Sequence, residues 1–195
     1  MALLARYCAG NAEERGDRME RNADIAATFD EHMAAEFAQR DLEATMATMT
    51  DDPVVYQVPV MTGGVGAEDV RRFYGRHFIG KWPEDTEITP VSRTVGDDQV
   101  VDEIVVSFTH NIEMDHFLPG VAPTARPVRI PVCVVVRFEG GKVAHEHIYW
   151  DHASVLVQVG LLDPSALPVT GAEQAENLFD PRARPTNELI GPRSS

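Results

Sequence analysis

Positive charge is scarce in this chain. Its 195 residues carry 17 Lys and Arg against 31 Asp and Glu, a formal net charge of −14. Phosphate contacts need clustered Lys and Arg, so no nucleic-acid partner is expected. The same deficit argues against docking on an anionic membrane. The acidic surplus does not by itself call for a cationic partner, because it also serves solubility. Cysteine is scarce too. Cys8 and Cys133 are the only two, and they form no disulfide framework or thiolate metal motif. Cys133 sits in an apolar run and reads as a buried, reduced thiol. No apolar run is long enough to span a bilayer, and the apolar start around Met1–Arg6 is too short for a secretory signal. Cytoplasm is the expected location. No internal repeat is present. Thr62–Gly66 is glycine-rich but lacks the following Lys-Ser/Thr of a phosphate loop, and no Gly-x-Ser-x-Gly elbow marks a serine hydrolase.

What is present suits one soluble domain. Apolar residues make up 44% and charged residues 25%, enough for a full hydrophobic core at this length. Residues 1–20 are polar and read as a disordered or loosely docked leader, with Met19 as an alternative start. Residues 21–180 read as the domain, and the Pro-, Arg- and Ser-rich residues 181–195 as a flexible tail.

Within the domain, Ile25, Phe29, Met33 and Phe37 recur at helical spacing, predicting a helix from Asn22 to Arg40. Asp41 reads as the N-cap of a second helix, Leu42–Met49. Val54–Val58 reads as a strand, Thr62–Gly66 as a flexible turn, and Ala67–Phe78 as a third helix. Four strands are predicted next, at Glu87–Val95, Gln99–Asn111, Val128–Phe138 and Lys142–Asp151. The long link Glu113–Pro127 between the second and third of these reads as functional. Ala153–Val159 is predicted as a short helix ending at Gly160. Another helix is predicted from Thr170, with Glu173 completing a capping box. Helices followed by closely spaced strands give an α+β class. The natural assembly is a curved, mainly antiparallel sheet wrapped over the N-terminal helices, with a pocket between them.

The stretch Gly140–Asp151 concentrates titratable groups. Strand alternation puts His145, His147, Tyr149 and Asp151 on one face, and Glu146, Ile148, Trp150 and His152 on the other. Four polar or amphipathic groups in a row suit a polar pocket better than a dry core. Asp151 therefore reads as the catalytic general acid/base, or else as the cap of the helix after it. His147 sits on the same face, and His110 on a neighbouring strand; both are catalytic candidates or structural histidines. Tyr149, Tyr56, Tyr74 and Asp115 are pocket candidates, with packing or solvation as their ordinary alternative. A slip of one residue would invert the facing and make Glu146 the pocket acid. His145-x-His147 lacks further ligands for a metal. Neither a metal nor a cofactor is expected.

The order helix-helix-strand-helix and four long strands resembles the nuclear transport factor 2-like fold. Thr109-His110, the loop Leu118–Val128, the Gly-Gly-Lys-Val turn at Gly140, Glu146-His147, Asp151 and Leu156–Gly160 resemble its SnoaL-like group, named for small polyketide cyclases. The likeness covers about residues 22–160. It implies a cone-shaped α+β barrel with a central pocket, and an intramolecular aldol ring closure in which Asp151 moves the proton and His110 lies in the pocket. It also implies a homodimer through the convex sheet face. The function expected from residues and resemblance together is a cofactor-free cyclase, isomerase or dehydratase acting on a small, apolar, oxygenated molecule. A non-catalytic binding or dimerisation module of the same fold, and more remotely a lactone or ester hydrolase accessory, are the alternatives.

Overall fold

The computed structural model describes residues 2–190, and the side chains of residues 16–165 and 167–190. Helix α1 runs Ala2–Met33 and widens into a π-helical turn, Ala34–Gln39. It therefore extends back through the segment read as a leader. Between residues 16 and 24 every side chain except Asn22 is exposed, so this part of α1 stands off the core. Its apolar stripe begins to bury at Ile25 and Phe29. Helix α2, Leu42–Ala47, starts where expected, because the Asp41 carboxylate accepts from the Glu43 and Ala44 amides.

Strand β1 spans Met49–Gln57 and β2 spans Thr62–Val65. The two pair as a hairpin, so the glycine-rich segment is a strand rather than a flexible turn. Glycine is required there. A Cβ on Gly63, at φ 141°, would fall 1.9 Å from the Val55 carbonyl oxygen. Helix α3, Ala67–Phe73, also ends in a π-turn, Tyr74–Phe78.

Strands β3 (Glu87–Val95), β4 (Gln99–Thr109), β5 (Pro127–Glu139) and β6 (Lys142–Trp150) then form an antiparallel meander. The six-stranded sheet has the order β2-β1-β6-β5-β4-β3, and β1 runs parallel to β6. On β5 the even-numbered residues Val128 to Phe138 are all buried. They face α1 and the two π-turns across the concave side. Arg93 on β3 grips Asp102 on β4 with two hydrogen bonds of 2.6 and 2.7 Å and reaches Asp30 on α1 at 2.7 Å. It thereby clips the helix to the sheet.

Two short helices close the domain on the other face, α4 (His152–Gln158) and α5 (Glu173–Phe179). The Gln158 amide pairs both ways with the Arg129 backbone on β5. The capping box expected at Thr170 is absent: Ala172 is the cap of α5, and Glu173 accepts from the Gly171 amide instead. Of the tail, residues 181–190 are exposed, and 191–195 lie outside the described residues. Among the described residues no helix is long and apolar enough to cross a membrane. The architecture is an α+β cone: helices packed on a curved, mainly antiparallel sheet.

Candidate active site

A cavity of about 60 Å³ lies between the sheet and the two π-turns. Its walls are apolar, with Val106, Val132 and Val134 on the sheet and Phe78, Phe117 and Trp150 among the rings. Phe117 comes from the long loop and stacks on Trp150 at 4.6 Å. Four polar side chains enter this space: Glu36, Gln57, Tyr74 and Glu146. A wider space of about 270 Å³ shares Glu36, Phe37, Trp82 and Ile88 with it, and gives the cavity an outer compartment.

The polar groups form one buried cluster around His32. Helical spacing puts His32 and Glu36 on one face of α1, with His32 Nε2 3.2 Å from Glu36 Oε1. Glu146 on β6 approaches the same nitrogen at 3.5 Å, and the Tyr74 hydroxyl lies 3.3 Å from it. Tyr74 donates to Glu146 Oε2 at 2.7 Å. His32 and Tyr74 are fully buried, and Glu36 and Glu146 are 5% and 4% exposed.

The protons can be placed by counting. The Thr48 hydroxyl gives its single hydrogen to the Thr45 carbonyl at 2.7 Å. It must therefore accept from His32 Nδ1 at 2.6 Å, so Nδ1 carries a proton. The Tyr74 hydrogen is committed to Glu146, so the phenol oxygen can only accept from Nε2. The Glu146 carboxylate is a second acceptor for Nε2 at 3.5 Å, so a proton there has partners as well. His32 is an imidazolium.

The electrostatics agree. Burial alone would lower the His32 pKa, but Glu146 and Glu36 outweigh it and raise it well above the usual value. The two carboxyls are pushed apart. Burial raises Glu36, helped by repulsion from Glu146 and only partly offset by His32. Burial pulls Glu146 the same way, but His32 and the Tyr74 hydroxyl overcome it and lower its pKa. Burial and the two carboxylates raise Tyr74, which stays a phenol. Glu36 thus holds a proton more tightly than a free carboxyl and Glu146 less tightly, beside a His32 that favours its charged form. Paired carboxyls whose proton affinities are pushed apart suit an acid and a base.

The structure reverses the expected facing of β6. Glu146, Ile148 and Trp150 line the cavity, while His145, His147 and Tyr149 lie on the outer face. The cause is a β-bulge. Arg137 pairs with His145 but Phe138 pairs with Val143, so Ala144 has no partner on β5. Val143 and Ala144 are both buried, and alternation restarts one residue later.

The residues expected in the pocket are redistributed accordingly. Asp151 does not line the cavity. It is exposed and caps α4, accepting from the Ser154 amide at 3.2 Å and from the Gln174 amide at 2.7 Å. His147 packs edge-on against Tyr56 at 6.3 Å on the outer face, so neither reaches the cavity. Tyr149 is 43% exposed. His110 is fully buried but at the foot of the long loop, where its backbone bonds Arg126, Thr124 and Ala125 and its ring meets Thr124. Asp115 is exposed and lies 3.5 Å from His77. Tyr74 and Glu146 do line the cavity.

His32, Glu36 and Gln57 were missed. The signal for the first two was present. Ile25, Phe29, His32 and Glu36 are spaced four, three and four, so two titratable residues occupy the core stripe of α1. His32, Glu36 and Glu146 also offer ligand atoms within 4.8 Å of one another, the one such group among the described residues.

A SnoaL-like domain matches residues 29–146, more than half of the chain. That span contains His32, Glu36, Gln57, Tyr74 and Glu146. Among solved structures, AclR of Streptomyces galilaeus, a putative hydroxylase, is 25% identical, with a TM-score of 0.55 over 72% of this chain and 98% of that one. A putative SnoaL-like polyketide cyclase from Jannaschia sp. CCS1 is 20% identical, with a TM-score of 0.56 over 74% and 94%. A ketosteroid isomerase-like protein of Catenulispora acidiphila, solved with trimethylamine, is 18% identical, with a TM-score of 0.52 over 69% and 93%. No curated protein matches the chain. The cone fold and the domain match together show that this chain belongs to the SnoaL-like domain family.

Proposed function

We propose that the chain is an acid–base enzyme of the cyclase, isomerase or dehydratase type, acting on a small, apolar, oxygenated molecule. One observation carries this reading: two buried carboxyls share an apolar cavity, and their proton affinities are pushed apart, Glu36 up by burial and Glu146 down by His32 and Tyr74. The Glu146 carboxylate takes a proton from carbon beside a carbonyl. The Glu36 acid gives its proton to the oxygen where charge develops, either the carbonyl being attacked or enolised or the hydroxyl that leaves. His32 keeps Glu146 ionised between turnovers. The proton taken by Glu146 returns to Glu36 through the cluster, so no net proton is consumed. The apolar walls strengthen both interactions.

The test is deuterium exchange at C2 and C6 of cyclohexanone in D₂O, monitored by NMR. Exchange faster than in buffer, with a loss of roughly 10²–10⁴-fold in Glu146→Gln, is expected. Binding without exchange would leave a ligand-binding module of the same fold.

A second reading is favoured by the three converging ligand atoms. A divalent cation would take His32 Nε2, Glu36 and Glu146, with Thr48 orienting the ring through Nδ1. The acid–base reading expects exchange to be indifferent to EDTA. The metal reading expects it to vanish with EDTA and return with Zn²⁺.

A further inference from the structure

Gln57 lines the cavity outside the His32 cluster. It is 3% exposed, and its side chain lines the cavity. It makes one hydrogen bond among the described residues, at 3.1 Å between its amide oxygen and the Thr62 hydroxyl. Thr62 shares its single hydroxyl hydrogen between that oxygen and the His116 carbonyl at 2.7 Å, and it is held by the β1–β2 hairpin, which pairs Gln57 with Thr62. One half of a buried amide is therefore pinned and the other half has no partner. That half is not sealed from the cavity that Gln57 lines, so a group entering there can pair with it.

The register fixes where. On the parallel β1–β6 pair, Val55 stands beside Glu146 and Gln57 beside Ile148. Gln57 thus faces the cavity one pleat beyond the base, about 7 Å along the strand.

We propose that Gln57 binds a second oxygen of the ligand, about one pleat from the carbonyl that Glu36 and Glu146 act on. The ligand is then a dioxygenated apolar molecule, a hydroxyketone or a diketone, rather than a simple ketone. A hydroxyl suits the site in particular, because it can both donate to and accept from an amide. The distance between the two oxygens, not the bulk of the rings, is what the cavity selects. Sites of this kind reject analogues lacking the oxygen, since the buried group is then left unpaired. This rests on the acid–base reading for the identity of the first oxygen, and the experiment separates the two.

Dissociation constants are measured by NMR titration for cyclohexanone and 4-hydroxycyclohexanone, with the wild type, Gln57→Met and Gln57→Leu. The Gln57 side-chain amide signals, assigned in the wild type by triple-resonance correlation to the Gln57 backbone, are tracked during each titration. The hydroxyketone is expected to move these signals and cyclohexanone to move them little. Both substitutions are expected to weaken hydroxyketone binding by about five- to tenfold and to change cyclohexanone binding less than twofold. Unmoved amide signals with equal losses for both ligands would overturn the assignment. So would exclusion of both ketones from the cavity. The wild-type amide signal decides the matter even if both variants unfold. Loss of deuterium exchange with the Gln57 effects intact would sink the acid–base reading alone.

Discussion

Replacing Glu36 with glutamine should make the protein more stable at pH 7. Ordinarily, losing a buried group that contacts a histidine at 3.2 Å weakens a fold. The sign reverses here because burial raises the proton affinity of Glu36. Its folded pKa is raised, first by burial and then by Glu146. A raised pKa contributes its stability at low pH and loses it as pH climbs above the unfolded value of about 4.3. At pH 7 the fold therefore bears the cost of holding a carboxyl that ionises more readily in the unfolded chain. Each tenfold difference in proton affinity is about 1.4 kcal/mol. Glutamine has the shape and the donor of the protonated acid without that cost. A stabilisation at pH 7 is expected, shrinking to zero near pH 4. Urea denaturation of both proteins from pH 4 to pH 8 measures it, and every other titrating group is common to the two and cancels. Exchange activity should fall together with the rise in stability, as it does where a site is built against stability. A Glu36→Gln protein that is less stable at pH 7, or a difference that does not change with pH, refutes the protonation state and the acid role with it.

Glu146→Gln should do the opposite and cost about 3 kcal/mol at pH 7, the low end for breaking a buried ion pair, because Glu36 can take up part of the charge. The same denaturation series checks it, and a cost below that of Glu36→Gln would contradict the assignment. Burial lowers the His116 pKa to about 3, against weaker pulls from the His77 backbone and Asp115, and both ring nitrogens lack partners. A lowered histidine loses stability as pH falls from about 6.5 towards 3, on the order of 5 kcal/mol in all. His116→Phe, set among Trp82, Phe78 and Phe117, should remove most of that slope in acid titrations monitored by circular dichroism. Asp151→Asn should change stability by less than about 0.5 kcal/mol, since Asn caps as well as Asp, and should leave deuterium exchange intact. A tenfold loss of exchange would put Asp151 back in the chemistry.

The fold was legible because its signals are local and repeated. The helical stripe of α1, the Asp41 cap and the β-branched runs of β4 and β5 each point to one structure, and α2, β4 and β5 lie within a few residues of their expected places, whereas α1 starts at Ala2 instead of Asn22 and the expected turn at Thr62 is strand β2. The site was less legible because the facing of β6 depends on Ala144. Counted from Val143 inward, alternation puts His145, His147 and Asp151 in the pocket. The bulge adds a residue that no propensity at Ala144 announces, and every later side chain changes face. The polar run itself also misled. Polar groups in series belong on the solvated side of an antiparallel sheet, whereas the inner face carries a single acid that a distant histidine neutralises. His32 and Glu36 were visible as intruders in an apolar stripe. Their partner on β6 was visible only as the less favoured of two facings.

The cluster is assembled by backbone irregularity. Glu36 stands on the π-turn at the end of α1, Tyr74 opens the π-turn after α3, and Glu146 comes two residues after the bulge at Ala144. Each device inserts one residue into a regular element and re-aims the side chains beyond it. The first π-turn ends at Arg40, whose φ of 54° is left-handed, with its amide bonded to the Ala35 carbonyl. Such turns have poorer hydrogen bonds than the helix they interrupt, so packing must hold them. Phe37 and Phe78, on the two π-turns, supply that packing with ring centres 5.7 Å apart. Only His32 sits on regular helix, and it is the residue all the others address. Three irregular elements converging on one regular one make the charge balance depend on all of them at once. Keep Ala144 but force it into the regular ladder, so that it pairs with Arg137 and His145 with Val136, and Glu146 turns outward. His32 then has only Glu36 to pair with, and the opposite pull on the two carboxyls, on which the acid–base chemistry depends, is gone.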